Sequence, residues 1–296
     1  MTPERDPFFS VIIPTINREG QLQRAIESVL MQDFTDFELI VVFNVARPEN
    51  INYADSRVKI IQELSKGANK ARNAGIRESK GKFVCFLDDD DVLLANHLSE
   101  LKLLIDKNEG VPGLYRTLMK RQYADGTVRE QKFSFRKSDD HPIFHLFKVG
   151  IVMNSVCLHR EIFESFLFDP EIPVAQDTHM WVRVLTRYPL FESDAYTNIY
   201  LYSENSISSP GYEVYKKYYK VFSDLFRQPE IGNKIPHGFK NNWLSRYPLW
   251  ILKNHSNEIS LEEFFIWWKR LICHKPFGLL MPGIYINMLK KIINRR

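Results

Sequence analysis

Apolar and polar positions follow two alternating rhythms over the first hundred residues. Phe9–Ile13, Glu38–Phe43, Val58–Gln62 and Phe83–Leu87 are short runs dense in β-branched and aromatic residues, and each reads as a strand. Pro14 stops the first. Between these runs the spacing lengthens to that of a helix. Leu22, Ala25, Ile26, Val29 and Leu30 share one face over residues 19–31, and Gly67 to Ser79 and residues 94–107 read as further helices. Strands alternating with helices predict βαβ units, hence an α/β fold on a mixed, mostly parallel sheet flanked by helices. Such sheets bind ligands beyond the carboxyl ends of their strands. Pro14-Thr15, Phe43-Asn44 and Asp88–Asp91 all stand at such ends.

The later pattern is more mixed. Residues 113–123 and 127–135 flank Ala124-Asp125-Gly126, a hairpin turn. Residues 150–158 read as a strand, 159–167 as a short helix, and 177–188 as a helix closed by Pro189. Residues 210–228 and the aromatic-rich chain past 235 read as helical.

Four consecutive aspartates, Asp88 to Asp91, close the fourth apolar run. Like charges so close repel and raise one another's pKa unless a cation neutralises them. Hard oxygen donors at a strand end suit Mg2+ or Mn2+, held by one or two carboxylates together with substrate phosphates. A plainer reading makes the run an acidic turn in which Asp91 caps the following helix.

Composition narrows the class. The 296 residues are 44% hydrophobic and 26% charged, enough for a sizeable core in an ordinary globular protein. Cys85, Cys157 and Cys273 are far apart, which argues against a disulfide framework and fits a reducing compartment. The charged opening Met1–Asp6 predicts no secretory signal, and no run reaches the roughly 18 apolar residues of a membrane span. A cytoplasmic location follows. The net charge of +4 is uneven: residues 264–296 carry seven Lys/Arg and no acid, against 33 basic and 36 acidic residues elsewhere. The body is therefore not expected to bind nucleic acid. In the tail, Phe264–Ile272 and residues 279–293 mix aromatic, apolar and basic residues, which suits an interfacial helix on the anionic inner face of a cell membrane. Packing on the chain's own body or on a second subunit is the plainer alternative.

Several of these stretches, in their order, resemble the inverting glycosyltransferases of family two, which have the GT-A, Rossmann-like nucleotide-sugar-binding fold. They are Phe9–Arg18, Ala25–Phe34 with Asp36–Val42, Gly67–Ile76, Ser79–Val84, and Asp88-Asp89-Asp90 on the family's Asp-x-Asp signature. The likeness is dense over residues 8–98, weaker over 150–208 and absent beyond. It implies a catalytic domain over 1–210, with a nucleotide-sugar half at 8–110 and an acceptor half at 111–210, and a helical extension over 211–296. It also implies Mn2+- or Mg2+-dependent transfer from a nucleotide sugar, a UDP-sugar foremost, to a glycan or lipid-linked glycan in surface polysaccharide or glycoconjugate assembly. The implied roles are Asp90 and Asp88 on the metal, Asp88 and Asp89 on the donor's hydroxyls, Pro14, Thr15 and Asn17 around the nucleoside, and Arg72 on the diphosphate. Val174–Arg183 resembles the family's acidic pair followed by a tryptophan-bearing helix, which puts the general base on Asp177. The plainer reading of Asp177 is a helix cap; that of Trp181 is core, and that of His179 a surface or wall residue.

Three features depart from the pattern. Gln176 replaces the first acid of the pair. Phe43 and Asn44 replace the aspartates that follow the second strand, which leaves Asn44 to face the base with both a donor and an acceptor. Tyr200–Ser208 lacks the basic residue and histidine of many relatives, so the diphosphate needs the metal, Arg72 or a basic residue from elsewhere. A non-catalytic sugar-nucleotide-binding or scaffold protein of this fold is the alternative. A nucleotidyltransferase would need a Gly-rich basic loop, which residues 14–18 do not offer.

Overall fold

The computed structural model describes residues 5–46, 53–132, 136–202 and 211–275. The strands are β1 (Phe9–Thr15), β2 (Phe37–Phe43), β3 (Val58–Gln62), β4 (Phe83–Phe86), β5 (Val92–Leu93), β6 (Leu114–Gln122), β7 (Val128–Glu130), β8 (Val156–His159) and β9 (Leu190–Leu201). The helices are α1 (Glu19–Leu30), α2 (Ala68–Glu78), α3 (His97–Lys107), α4 (Pro142–Val149), α5 (Gln176–Val184), α6 (Tyr212–Arg227), α7 (Pro229–Gly232), α8 (His237–Asn254) and α9 (Leu261–His274). Among the described residues the strands form one sheet in the order β3-β2-β1-β4-β8-β6-β9-β5, with β7 paired to β6.

The first four strands run parallel, as the alternation of strand and helix requires. All of β1 and β4 is buried, because helices cover both faces of a parallel sheet. Phe9, Val11, Ile13, Leu39, Val41, Phe83 and Cys85 join Leu22, Ile26, Val29, Leu98 and Leu101 in one core. The register then places the chemistry. Thr15 lies opposite Phe43, Ile12 lies opposite Phe86, and the Leu87 N–H donates to the Ile12 carbonyl at 3.0 Å. Residues 88–90 therefore emerge beside Pro14–Asn17.

Several expected elements shift. The strand over 150–158 shrinks to β8 at its end, preceded by a 3-10 turn at Met153–Ser155, and the helix over 159–167 is a 3-10 turn at Arg160–Glu164. The short strand β5 and the long β9 carry no clean alternation and were not expected; β9 is mostly half-buried. The hairpin forms around Gly126, whose φ of 82° suits a residue without Cβ. Its second strand ends at Glu130, and residues 133–135 lie outside the described ones. Asp91 does not cap α3. That helix begins six residues later, with Asn96 at its N-cap, because β5 intervenes.

Two compact units are present, one of residues 1–171 with 176–203, the other of 172–175 with the chain from 204 on. In the second, Ile251, Leu252, Ile259, Phe264, Trp267 and Leu271 form a core bordered by Tyr212, Tyr215, Tyr219 and Trp250. Ser260 and Glu263 close a capping box at the start of α9, and Tyr212 donates to Glu263 at 2.9 Å. Of the segment expected at a membrane surface, Trp267 belongs to this core, whereas Phe265 and Ile266 are 42% and 44% exposed. Residues 276–296 of that segment lie outside the described ones. No helix among the described residues is long and apolar enough to cross a membrane.

Candidate active site

Exposure alternates along the four aspartates. The side chains of Asp88 and Asp90 are 35% and 32% exposed, whereas Asp89 and Asp91 are buried. The buried pair is structural. Asp89 accepts the Thr15 hydroxyl at 2.6 Å and pairs with the Arg18 guanidinium; Thr15 in turn accepts the Asn17 backbone N–H at 2.9 Å. Asp89 is thus tied within the protein on both of its oxygens. Asp91 accepts from Asn154 Nδ2 and from the Leu201 N–H, both at 2.9 Å, and so fastens β9 and the turn before β8 to the end of β4. Burial, and then the charge of Asp88, pushes its carboxyl well above the usual range. Pro14 is buried opposite Val42. Asn17 sits at φ 68°, and its side-chain Oδ1 has no hydrogen-bond partner among the described residues.

The exposed pair faces two arginines. Arg18 Nη1 donates to Asp90 Oδ2 at 2.8 Å. Arg72, buried on α2, donates through Nη2 to Asp88 Oδ1 at 2.6 Å and through Nη1 to Gln176 Oε1 at 2.8 Å. One planar fork thereby joins the aspartate run to α5. α2 is itself held in place. Asn73 exchanges two hydrogen bonds with the Phe168 backbone, at 2.8 and 3.0 Å, and Asn69 donates to the Asp169 carbonyl at 2.7 Å. Phe168 meets Phe86 and Trp181 edge-on beneath the site. Trp181 is wholly buried, and His179, expected at a surface or wall, is buried too; desolvation, then Arg183, brings its imidazole down to about 4.

Asp177 lies inside the first turn of α5 rather than at its cap, because that helix already includes Gln176. Its Oδ1 accepts the Thr178 N–H at 2.6 Å. Burial raises its pKa; the Thr178 N–H and the Arg72 charge oppose that, and Asp88 adds to it. Asp90 is likewise raised, by burial first and then by Asp88, against the pull of Arg18.

Asn44 is engaged through both atoms of its amide. Its Nδ2 donates to the carbonyls of Glu63 and Ser65, at 2.7 and 3.0 Å, and its Oδ1 accepts the Gly67 N–H at 2.8 Å. Both donor hydrogens are spent on the loop that leads into α2. What remains is one acceptor lone pair on Oδ1, so the amide presents outward only what a carboxylate would. Arg18 and Gln176 are the residues of this cluster that the sequence left without a role. Their one signal was proximity: Arg18 follows Asn17, and Gln176 precedes Asp177.

A divalent ion fits the residues present. Asp88 and Asp90, two residues apart beyond the end of β4, are partly exposed, hard oxygen donors. No group of three or more His, Cys, Asp or Glu side chains among the described residues is arranged to hold an ion by itself. Two carboxylates completed by substrate phosphates is the arrangement Mg2+ and Mn2+ favour.

Comparisons with known proteins converge on one family. The model of Glycosyl transferase family 2 matches residues 10–154. The putative colanic acid biosynthesis glycosyl transferase WcaA of Escherichia coli is 30% identical over 195 residues, covering 62% of this chain and 68% of that protein. The chain belongs to glycosyl transferase family 2. This family member is also 28% identical over 233 residues to the E. coli UDP-Glc:alpha-D-GlcNAc-diphosphoundecaprenol beta-1,3-glucosyltransferase WfgD, covering 76% of this chain and 88% of that one. In structure the glycosyltransferase resembles S. aureus TarS, solved with UDP-GlcNAc, at TM-score 0.64 and 19% identity over 90% of this chain and 79% of the other. It also resembles the Pyrobaculum calidifontis mannosyltransferase PcManGT, solved with GDP-Man and Mn2+, at TM-score 0.58 and 14% identity over 99% and 89%. The fold is GT-A, with C-terminal helices, and family membership makes the chain an enzyme rather than a scaffold.

Proposed function

We propose that this glycosyltransferase moves a sugar from a UDP-sugar, with inversion, to a lipid-linked glycan during surface polysaccharide assembly. The observation that carries the reading is the Arg72 fork, which holds Asp88 at the end of β4 and the start of α5, where Asp177 stands, in one constellation. A relative that uses UDP-Glc and an undecaprenol-linked acceptor supports the choice of both substrates.

The residues divide the work. Asp88 and Asp90 would hold Mn2+ or Mg2+ against the donor diphosphate, where such an ion supplies Lewis-acid stabilisation of the departing nucleotide. Thr178 holds Oδ1 of Asp177, so Oδ2 is the oxygen that would take the proton of the acceptor hydroxyl as that hydroxyl attacks the anomeric carbon. A single displacement inverts that carbon. The Arg72 guanidinium keeps the base and the leaving-group carboxylates in fixed relation. The Oδ1 lone pair left on Asn44 faces the base of the nucleotide as an acceptor. Phe265 and Ile266, exposed beside Lys269 on α9, suit contact with the anionic membrane that carries such an acceptor.

The test is a thermal-shift series with UDP, GDP, CDP and dTDP, each with and without Mn2+, followed by release of UDP from UDP-glucose in the presence of a polyprenyl diphosphate-linked acceptor. A Mn2+-dependent rise with UDP is expected, since a ligand of the folded state raises apparent stability. A rise with another nucleotide alone overturns the choice of base; binding without acceptor-dependent release overturns the acceptor.

A further inference from the structure

Tyr200–Ser208 contains no Lys, Arg or His, so the diphosphate lacks a cation from that loop. Arg72 is committed to Asp88 and Gln176. Among the described residues, Arg18 is the other guanidinium in contact with the aspartate run, and its two contacts differ in kind. Asp89, its partner at Nη2, is 1% exposed and clamped by Thr15; Asp90, its partner at Nη1, is 32% exposed, and Arg18 itself is 40% exposed. One contact is a fixed pivot. The other is a solvent-accessible ion pair of the kind that breaks easily. The backbone beneath is held in place: the Arg18 carbonyl accepts the N–H groups of Gln21 and Leu22, at 2.9 and 2.8 Å, at the start of α1.

We propose that Arg18 is an exchangeable counter-cation: it covers Asp90 while the donor is absent and, staying tied to Asp89, hands its freed Nη1 to the donor diphosphate when a divalent ion takes Asp90. The proposal rests on the UDP-sugar reading above. Charge balance supports it. Asp88, Asp89 and Asp90 face two guanidiniums, so a divalent ion alone must compete with Arg18 for Asp90. A diphosphate arriving with the ion gives the displaced guanidinium a new anionic partner. Arg18 therefore couples the two ligands, favouring the ion only in company with the nucleotide.

Isothermal titration of Mn2+ alone, and of UDP at fixed Mn2+, on the wild type, Arg18→Gln and Arg18→Lys tests this. Glutamine keeps a donor for the buried Asp89, and metal-free melting temperatures check the fold of each variant. In Arg18→Gln, Mn2+ alone should bind several-fold tighter because its competitor is gone, while UDP should bind about tenfold weaker or more for the loss of a charge-assisted contact. Lysine keeps the charge without the fork, so both shifts should be smaller than with glutamine. If Arg18→Gln does not fold, Arg18→Lys decides: opposite shifts of the two affinities support the proposal, and parallel shifts or none overturn it. In Arg18→Gln a fall in both affinities would mark a merely structural arginine, and unchanged UDP affinity would equally sink the exchange. A wild type that binds no UDP in the presence of Mn2+ would overturn the donor reading itself, and the exchange with it.

Discussion

Replacing Arg72 by methionine removes the fork while keeping the length of its stem. The hydrogen bond to Gln176, at 2.8 Å between a buried guanidinium and an amide, is worth about 1 kcal/mol net. The pair with Asp88, at 2.6 Å, is charge-assisted, but Asp88 is 35% exposed; solvent screening holds it to about 1–1.5 kcal/mol. Urea denaturation should therefore show Arg72→Met less stable by about 2–2.5 kcal/mol. Arg72→Lys, which keeps a charge for Asp88 and loses the second arm, should lose about 1 kcal/mol. Transfer should fall further than stability alone explains, by about 100-fold, because Asp88 and α5 are no longer held in register. A cycle with Gln176→Leu should show coupling of about 1 kcal/mol. Arg72→Met within about 0.5 kcal/mol of the wild type, with normal transfer, would refute the account of this residue as the strut of the site.

Other expectations follow from single residues. Asp177→Asn should keep Mn2+-dependent UDP binding and lose transfer by about 10³-fold, as removal of a general base does; retained transfer would move the base elsewhere. Because burial raises the Asp177 pKa and the base must be ionised, kcat/KM should fall on acidification with a limb above the range of an ordinary carboxylate, and that limb should vanish in Asp177→Asn. Burial brings His97 from 6.5 to about 3, so its folded form stays neutral where the unfolded chain takes a proton. Its contribution is fully present above pH 6.5 and is lost as pH falls toward 3, about 2 kcal/mol of it between pH 6.5 and 5; denaturation curves at those two values should show the drop shrinking in His97→Gln. A Cβ on Gly81 would meet the Phe9 carbonyl carbon at 2.6 Å and the Ser10 nitrogen, both backbone of a fully buried strand. Gly81→Ala should cost about 3 kcal/mol in urea denaturation; a loss well below 1 kcal/mol would show that β1 yields there.

The residues alone were enough to read the parallel half of the sheet and the strand ends from which the acidic run emerges. Strands covered on both faces must be continuous apolar runs, so β1, β2 and β4 announce themselves, and their carboxyl ends mark where Asp88–Asp90, Thr15 and Asn17 emerge. The motif order was enough for the family. The antiparallel side was harder to read: β9 is half-buried and irregular, so its polar positions follow no clean period, and β5 has only two residues held by pairing with β9. What tells the four aspartates apart is their surroundings, which arise only once the chain has folded. Four identical carboxylates differ in role because Thr15 and Arg18 reach Asp89, Asn154 and Leu201 reach Asp91, and Asp88 and Asp90 alone keep solvent exposure. Asn44 likewise gives no sign in sequence that it fastens a loop, since its bonds to Glu63, Ser65 and Gly67 exist only once those residues surround it. Hydrogen bonds between residues 16 to 110 positions apart have no local signature, since they exist only after the sheet has set its register.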